Sequence, residues 1–381
     1  MRLVVLVRVL NERGHESIDT WFPTPTGIEP IGNLGPRGWP APERPHDASG
    51  NMATVAHVDV NCTDLDKSVT FYRNVGFTDV VGRTDSHTPR ATRVLLRRPP
   101  SFPGETNPSL LLTQWRGLRP QPGGSRAIVD GHSPGVARMA LWCADIIAEI
   151  GRLKAFGPIS DTFLTEPVTD TPPGQKSTTT IVALRDPDGA MVELVEYGGL
   201  RKGKILPFFV HVNINVTRIA ETGLPFYSSL GFRVSLDLGA VANSFYRTLC
   251  IADPGLARQV YLMKLPEEPS FQLDLIEWAD PKTEGTAPLM SEKIKSPGIA
   301  GITLIVQGSK PLDGAGGATQ AAEEALRAVA KAAGQESAAG SLVWDVMPGS
   351  QGTVVSVLRM TLTDPDGTET QVITPAPAPK L

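Results

Sequence analysis

Two short stretches place an imidazole and two further polar groups at alternate positions. His57-Val-Asp-Val-Asn61 sets His57, Asp59 and Asn61 on one side, and His211-Val-Asn-Ile-Asn215 does the same for His211, Asn213 and Asn215. In an extended strand, residues two apart share a face. The intervening Val58, Val60 and Cys62, and Val212, Ile214 and Val216, make the opposite face apolar. Polar side chains on a sheet whose other face is core need a wet or ligand-filled cavity. Function belongs on that polar face. The same parity brings Arg138 and Trp142 to it, with Met139, Leu141 and Cys143 facing away. Glu193 between Val192 and Leu194, and Asp274 between Leu273 and Leu275, alternate likewise. A carboxylate so placed can move a proton. By parity Glu277 faces the other way, which favours Asp274 for that task.

The elements that position these groups repeat. Phe71-Tyr-Arg-Asn-Val-Gly-Phe77 returns as Phe226-Tyr-Ser-Ser-Leu-Gly-Phe232, Ser133-Pro-Gly-Val-Ala137 as Ser296-Pro-Gly-Ile-Ala300, and Asp186-Pro-Asp-Gly189 as Asp364-Pro-Asp-Gly367. With the two His stretches, four matches in one order identify an internal repeat. Each half divides again at the strands starting at His57, Arg138, His211 and Gly301. Asp64 opens a helix whose Leu65, Val69 and Tyr72 share a face, and 321–333 reads as a helix rich in Ala, Glu and Leu. Asp-Pro-Asp-Gly is a tight turn feeding a last strand. The unit is strand-helix-strand-strand-strand, four times over.

Composition agrees with a globular protein. Of 381 residues, 41% are hydrophobic and 20% charged, enough for two or three domains with real cores. The formal net charge of −4 and the lack of a basic run exclude a nucleic-acid partner. Cys62, Cys143 and Cys250 are too few and too scattered for a disulfide framework, so reduced thiols in a cytoplasmic protein are expected. No run has the roughly 18–20 apolar residues of a membrane span.

On the residues His57 to Ser68 with Phe71-Tyr72, and Asp186-Pro-Asp-Gly-Ala-Met-Val-Glu-Leu194, the sequence resembles the vicinal oxygen chelate superfamily of glyoxalases, bleomycin-resistance proteins and dioxygenases. The resemblance implies an α+β fold of four βαβββ modules paired into two tandem cup-shaped domains. The expected limits are an unstructured extension over 1–51, a first domain over 52–198, a linker over 199–206, a second domain over 207–375 and a tail over 376–381. In that family a divalent metal is often held in each cup by the first and last strands of each module. Carried over, the slots of the first domain hold His57, Leu111, Arg138 and Glu193, and those of the second His211, Asp274, Gly301 and Gln371. The metal set is then His57 and Glu193 in one cup and His211, Asp274 and Gln371 in the other, with Asp274 and Glu193 the catalytic carboxylates. The second cup is the better candidate. Iron, manganese, zinc, nickel and magnesium are not distinguished, and a metal-free first domain is equally defensible. Arg138 is no ligand and suits a substrate carboxylate or phosphate, or else an ion pair with Glu193. Asp59, Asn61, Asn213, Asn215 and Trp142 are the remaining substrate-binding candidates.

The expected function is metal-assisted lyase or isomerase chemistry on an oxygenated small molecule, with ring-opening dioxygenase activity disfavoured by Arg138, Gly301 and Gln371. A metal-free drug- or metabolite-binding protein and a metal-free cyclase or isomerase stay open, as does a homodimer. Gly131-His-Ser-Pro-Gly135 fits the G-x-S-x-G pattern, but Pro134 lacks the N–H the oxyanion hole needs. The sequons at Asn61 and Asn215 lie in strands, and Asp313 to Ala318 reads as a flexible connection.

Overall fold

The computed structural model describes residues 53–87, 90–101, 107–115, 135–156, 166–171, 177–198, 208–241, 257–266, 268–278, 298–306, 315–348 and 354–375, preceded by four short strands. Those are β1 (Arg8–Leu10) paired with β2 (Glu16–Ile18), and β3 (Phe22–Thr24) paired with β4 (Gly27–Glu29). The rest of the extension expected to be unstructured, the linker and the tail lie outside the described residues.

Four βαβββ modules follow. Module one is β5 (Ala53–Cys62), α1 (Leu65–Val75), β6 (Asp79–His87), β7 (Arg90–Arg97) and β8 (Ser109–Trp115). Module two is β9 (Gly135–Trp142), α2 (Ile146–Lys154), β10 (Val168–Asp170), β11 (Thr179–Arg185) and β12 (Met191–Tyr197). Module three is β13 (Phe209–Val216), a π-helical turn leading into α3 (Leu224–Ser229), β14 (Arg233–Val241), β15 (Ala257–Leu265) and β16 (Glu268–Trp278). Module four is β17 (Gly298–Val306), α4 (Ala315–Ala332), β18 (Val343–Pro348), β19 (Val354–Thr363) and β20 (Glu369–Pro375). Asp64 caps α1 by accepting from the Lys67 N–H, and Asp145 caps α2 through Ala148. Helix α4 starts at Ala315, so part of the expected glycine-rich connection is helical: its alanines outweigh its two glycines.

The modules pair into two cup-shaped, eight-stranded sheets, and they do so across chain order. One sheet runs β10-β11-β12-β9-β13-β16-β15-β14, and the other β18-β19-β20-β17-β5-β8-β7-β6. Modules two and three therefore share a sheet through antiparallel β9 and β13, and modules four and one through β17 and β5. This corrects the expected grouping of ligand slots by neighbouring modules. All four first strands offer an equivalent edge, so nothing local selects the partner. The apolar strand faces and the helices merge into one continuous core, in which Phe77 meets Phe208 and Phe209 edge-on at 5.3 and 6.2 Å. No described helix is long and apolar enough to cross a membrane.

The Asp-Pro-Asp-Gly turns bind the two sheets together. Asp186 accepts from the buried Tyr72 hydroxyl at 2.9 Å, and Asp188 accepts from the Thr63 backbone N–H at 3.0 Å and from its hydroxyl at 2.5 Å. In the other half, Asp364 accepts from Tyr227 at 3.1 Å, and Asp366 accepts from the N–H and hydroxyl of Thr217. Gly189 and Gly367 take positive φ, closing each turn. Each turn thus clasps the helix start of the preceding module, which belongs to the other sheet. Tyr72→Phe should lower unfolding stability by about 1–3 kcal/mol in denaturant titration, because the Asp186 oxygen is left buried without its donor.

Burial and the Asp188 charge push the Asp186 carboxyl up from 3.8 to about 7. Between those values the folded chain holds a proton that the unfolded chain has released, so stability falls as pH rises across the window. Asp186→Asn removes this titration. Its melting temperature relative to the wild type should improve between about pH 4 and about pH 7 and change no further above that.

Candidate functional site

The crosswise pairing gathers most of the polar slots in one cup. Register places Asn213 opposite Arg138 on one side and Asp274 on the other, with Glu193 one step along β12. Arg138 Nε lies 2.7 Å from Glu193 Oε1, and both side chains are buried. His211 Nε2 is 3.8 Å from Glu193 Oε2 and equally 3.8 Å from Asp274 Oδ2. Asn213 donates to Asp274 Oδ2 at 2.8 Å.

Several atoms in this centre are buried with no hydrogen-bond partner: Arg138 Nη1, His211 Nε2, Asn213 Oδ1 and Asp274 Oδ1. Buried polar atoms are normally satisfied, and four orphans converging from three strands mark a place for a polar ligand. Around them the cup is apolar. Met191, Ile276 and Trp278 belong to one cluster, and Ala140, Val195 and Trp142 to another. Trp278 donates to Asn215 Oδ1 at 3.0 Å, which spends that amide on the wall.

The charges are set by this packing. Burial pushes the Asp274 carboxyl above the usual carboxylate range, against the pull of His211 and Arg138. Glu193 is held below its usual value: burial opposes its charge, but Arg138 and His211 outweigh that penalty. Burial, then Asp274 and Glu193, push the Tyr197 phenol up, so Tyr197 belongs to the same electrostatic centre. Glu277 faces away as parity requires and accepts from the Ile219 N–H at 2.8 Å.

The other expected ligands lie elsewhere. His57, expected beside Glu193, is in the sheet of modules one and four, with Nε2 3.3 Å from Asp59 Oδ1. Asp59 accepts from Thr303 at 2.6 Å, and Asn61 from the Trp115 indole at 2.8 Å. Gln371, expected beside His211 and Asp274, is in that second cup too and accepts from Arg359 at 3.4 Å. The remaining slots there hold buried Leu111 and Gly301. A Cβ at Gly301 would sit 2.4 Å from the Glu369 carbonyl oxygen, so strand packing forbids a side chain at that slot.

Three side chains of the first-described cup could hold a divalent ion: Glu193, His211 and Asp274. Donors held tetrahedrally around one ion at about 2.0–2.2 Å stand about 3.3–3.6 Å apart, closer than the 3.8 Å from His211 to each carboxylate. Arg138 also places a permanent cation on Glu193. Among the described residues no group of three or more His, Cys, Asp or Glu is arranged to hold a metal. As it stands the set does not fit a divalent ion.

Sequence reasoning missed Tyr197, Arg93, Asp345, Arg359 and Glu369. Tyr197 shares the parity of Glu193 and could have been found; Asp345, Arg359 and Glu369 come together on neighbouring strands of module four, and Arg93 reaches them only through the crosswise sheet. The Arg138–Glu193 pair yields a stability test. Arg138→Met should cost about 3–5 kcal/mol by stranding a buried carboxylate, whereas the double variant Arg138→Met/Glu193→Leu should unfold at or above the wild-type denaturant midpoint.

Residues 54–194 match the Glyoxalase/Bleomycin resistance protein/Dioxygenase superfamily. Among solved structures, glyoxalase I from Zea mays is similar in fold, with a TM-score of 0.54, 17% identity, and 85% of this chain and 93% of that one covered. Two point variants of the same maize protein give TM-scores of 0.52 and 0.51 at 17% and 16% identity, each covering 85% of this chain and 93% and 94% of theirs. No curated protein matches the sequence. The family match covers residues 54–194, the first two modules, and the maize structures share the fold of the chain.

Proposed function

We propose that the chain is a small-molecule enzyme that moves a proton on an oxygenated metabolite, as a lyase or isomerase, in the cup of modules two and three. One observation carries this reading: a cationic donor, Arg138 Nη1, and a carboxylate oxygen, Asp274 Oδ1, are both buried, unpartnered and in one centre. A carbonyl oxygen would take its hydrogen bond from Arg138, which stabilises the negative charge that develops there. Asp274 would take a proton from the carbon beside that carbonyl, using the oxygen that Asn213 leaves free. Return of the proton at the neighbouring carbon gives an isomerase; departure of a leaving group gives a lyase. Because burial raises the Asp274 pKa, the rate should climb with pH until a point above the ordinary carboxylate range. Apolar walls exclude water from the intermediate.

Proton abstraction is measurable before the product is known. Small α-hydroxycarbonyl compounds incubated with the protein in D₂O should gain deuterium at the carbon beside the carbonyl. Asp274→Asn should slow this by about a hundredfold or more, the low end of general-base contributions. No exchange with any such compound, together with saturable binding, would make the cup a binding site only.

A second reading, metal-assisted lyase or isomerase chemistry, is favoured by the equal 3.8 Å from His211 Nε2 to the two carboxylates. It requires Arg138 to withdraw. Elemental analysis after divalent loading separates the two. The wild type should hold little metal, while Arg138→His, which exchanges the fixed cation for a donor, should hold about one ion per chain. One ion in the wild type, lost in His211→Ala, would instead establish the metal-assisted reading.

A further inference from the structure

The cup of modules one and four holds a second chamber of different chemistry. Its rims are drawn together, since β18 lies against β6 and β7. Across that closure Arg93 grips Asp345 with two bonds of 2.7 and 3.1 Å, and Arg359 Nε stands 3.2 Å from the same carboxylate. One buried carboxylate shared by two guanidiniums leaves cationic character on that wall. Arg359 Nε is buried and makes no aligned hydrogen bond.

Asp59 and Glu369 line the same pocket, with Gly301 between their strands. Glu369 lies within electrostatic reach of both Arg359 and Asp59. Leu111, Met347 and Trp115 supply the apolar lining. In the cup of modules two and three, Arg138 and Asp274 fill the centre from the positions that Gly301 and Leu111 occupy here. Their replacement by glycine and leucine takes charge off the floor of this chamber and leaves it at the sides.

We infer that this second chamber binds a small zwitterion of the α-amino acid type, its carboxylate on Arg359, its ammonium on Glu369 and Asp59, and its side chain against Leu111, Met347 and Trp115. A simple anion would face two carboxylates, and a simple cation would face the guanidiniums, so each pays for an unmatched charge on one side. A molecule carrying both charges on adjacent groups matches both walls.

Calorimetric titration and thermal shift on the full chain test this with L-alanine and L-methionine as probes, and propionate and propylamine as the single-charge controls. At least one amino acid should bind saturably and raise the melting temperature. Each control should bind at least about tenfold more weakly, as expected for loss of one charge-assisted contact. Arg359→Gln and Glu369→Gln should each weaken binding by a similar factor. Glu369→Gln, at a half-buried position, serves if the arginine variant unfolds. Asp274→Asn should bind as the wild type does, which separates this chamber from the other cup. The inference fails if neither amino acid binds, if propionate or propylamine binds as well as alanine, if Glu369→Gln binds normally, or if Asp274→Asn abolishes binding.

Discussion

The buried bond between the Tyr72 hydroxyl and Asp186, with its counterpart from Tyr227 to Asp364, is the constraint on which the rest depends. Each joins a helix of one sheet to a strand-end turn of the other. The turn carboxylates also hold backbone N–H groups at Ala190 and Thr368, so the last strands β12 and β20 start at fixed places. Glu193 and Gln371 stand on those strands. The contents of each cup are therefore set by a turn anchored in the opposite layer, through groups whose hydrogen bonds have no substitute in an apolar interior.

The two cups set different side chains on one backbone plan. Corresponding positions carry Arg138 and Gly301, Glu193 and Gln371, Asp274 and Leu111, while His211 and His57 are retained. In one cup the charges meet at the centre, where they are buried and partly unsatisfied. In the other they sit at the sides and the rim, where Asp345 holds two arginines. Fold alone does not assign a reaction. Strand register decides which side chains share a centre, and here it separates a cluster of buried, partly unsatisfied charges from a polar chamber.

Much of this was legible in the residues. Strand parity placed Arg138, Glu193, His211, Asn213 and Asp274 on the concave face, and Glu277 on the other, because alternation is a property of each strand alone. The partnership of modules was not legible. His57 and Glu193 read as neighbours because their modules are consecutive, yet the edge of β5 fits β9 and β17 equally well by local pattern. The Arg93–Asp345 clasp spans 252 residues and carried no local signal. It exists only once the crosswise sheet has curved its rims together.

That crosswise sheet has a consequence for synthesis. Modules two and three are adjacent in the chain and can complete their sheet once β16 has left the ribosome. Strand β5 is made first among the modules but waits for β17, with more than half the chain in between. Until then its ladder groups are bare on one side, an invitation to pair with another nascent chain. The outer sheet therefore has the longer loop to close, and the larger loop-closure entropy to overcome, before the two ends of the modular chain meet.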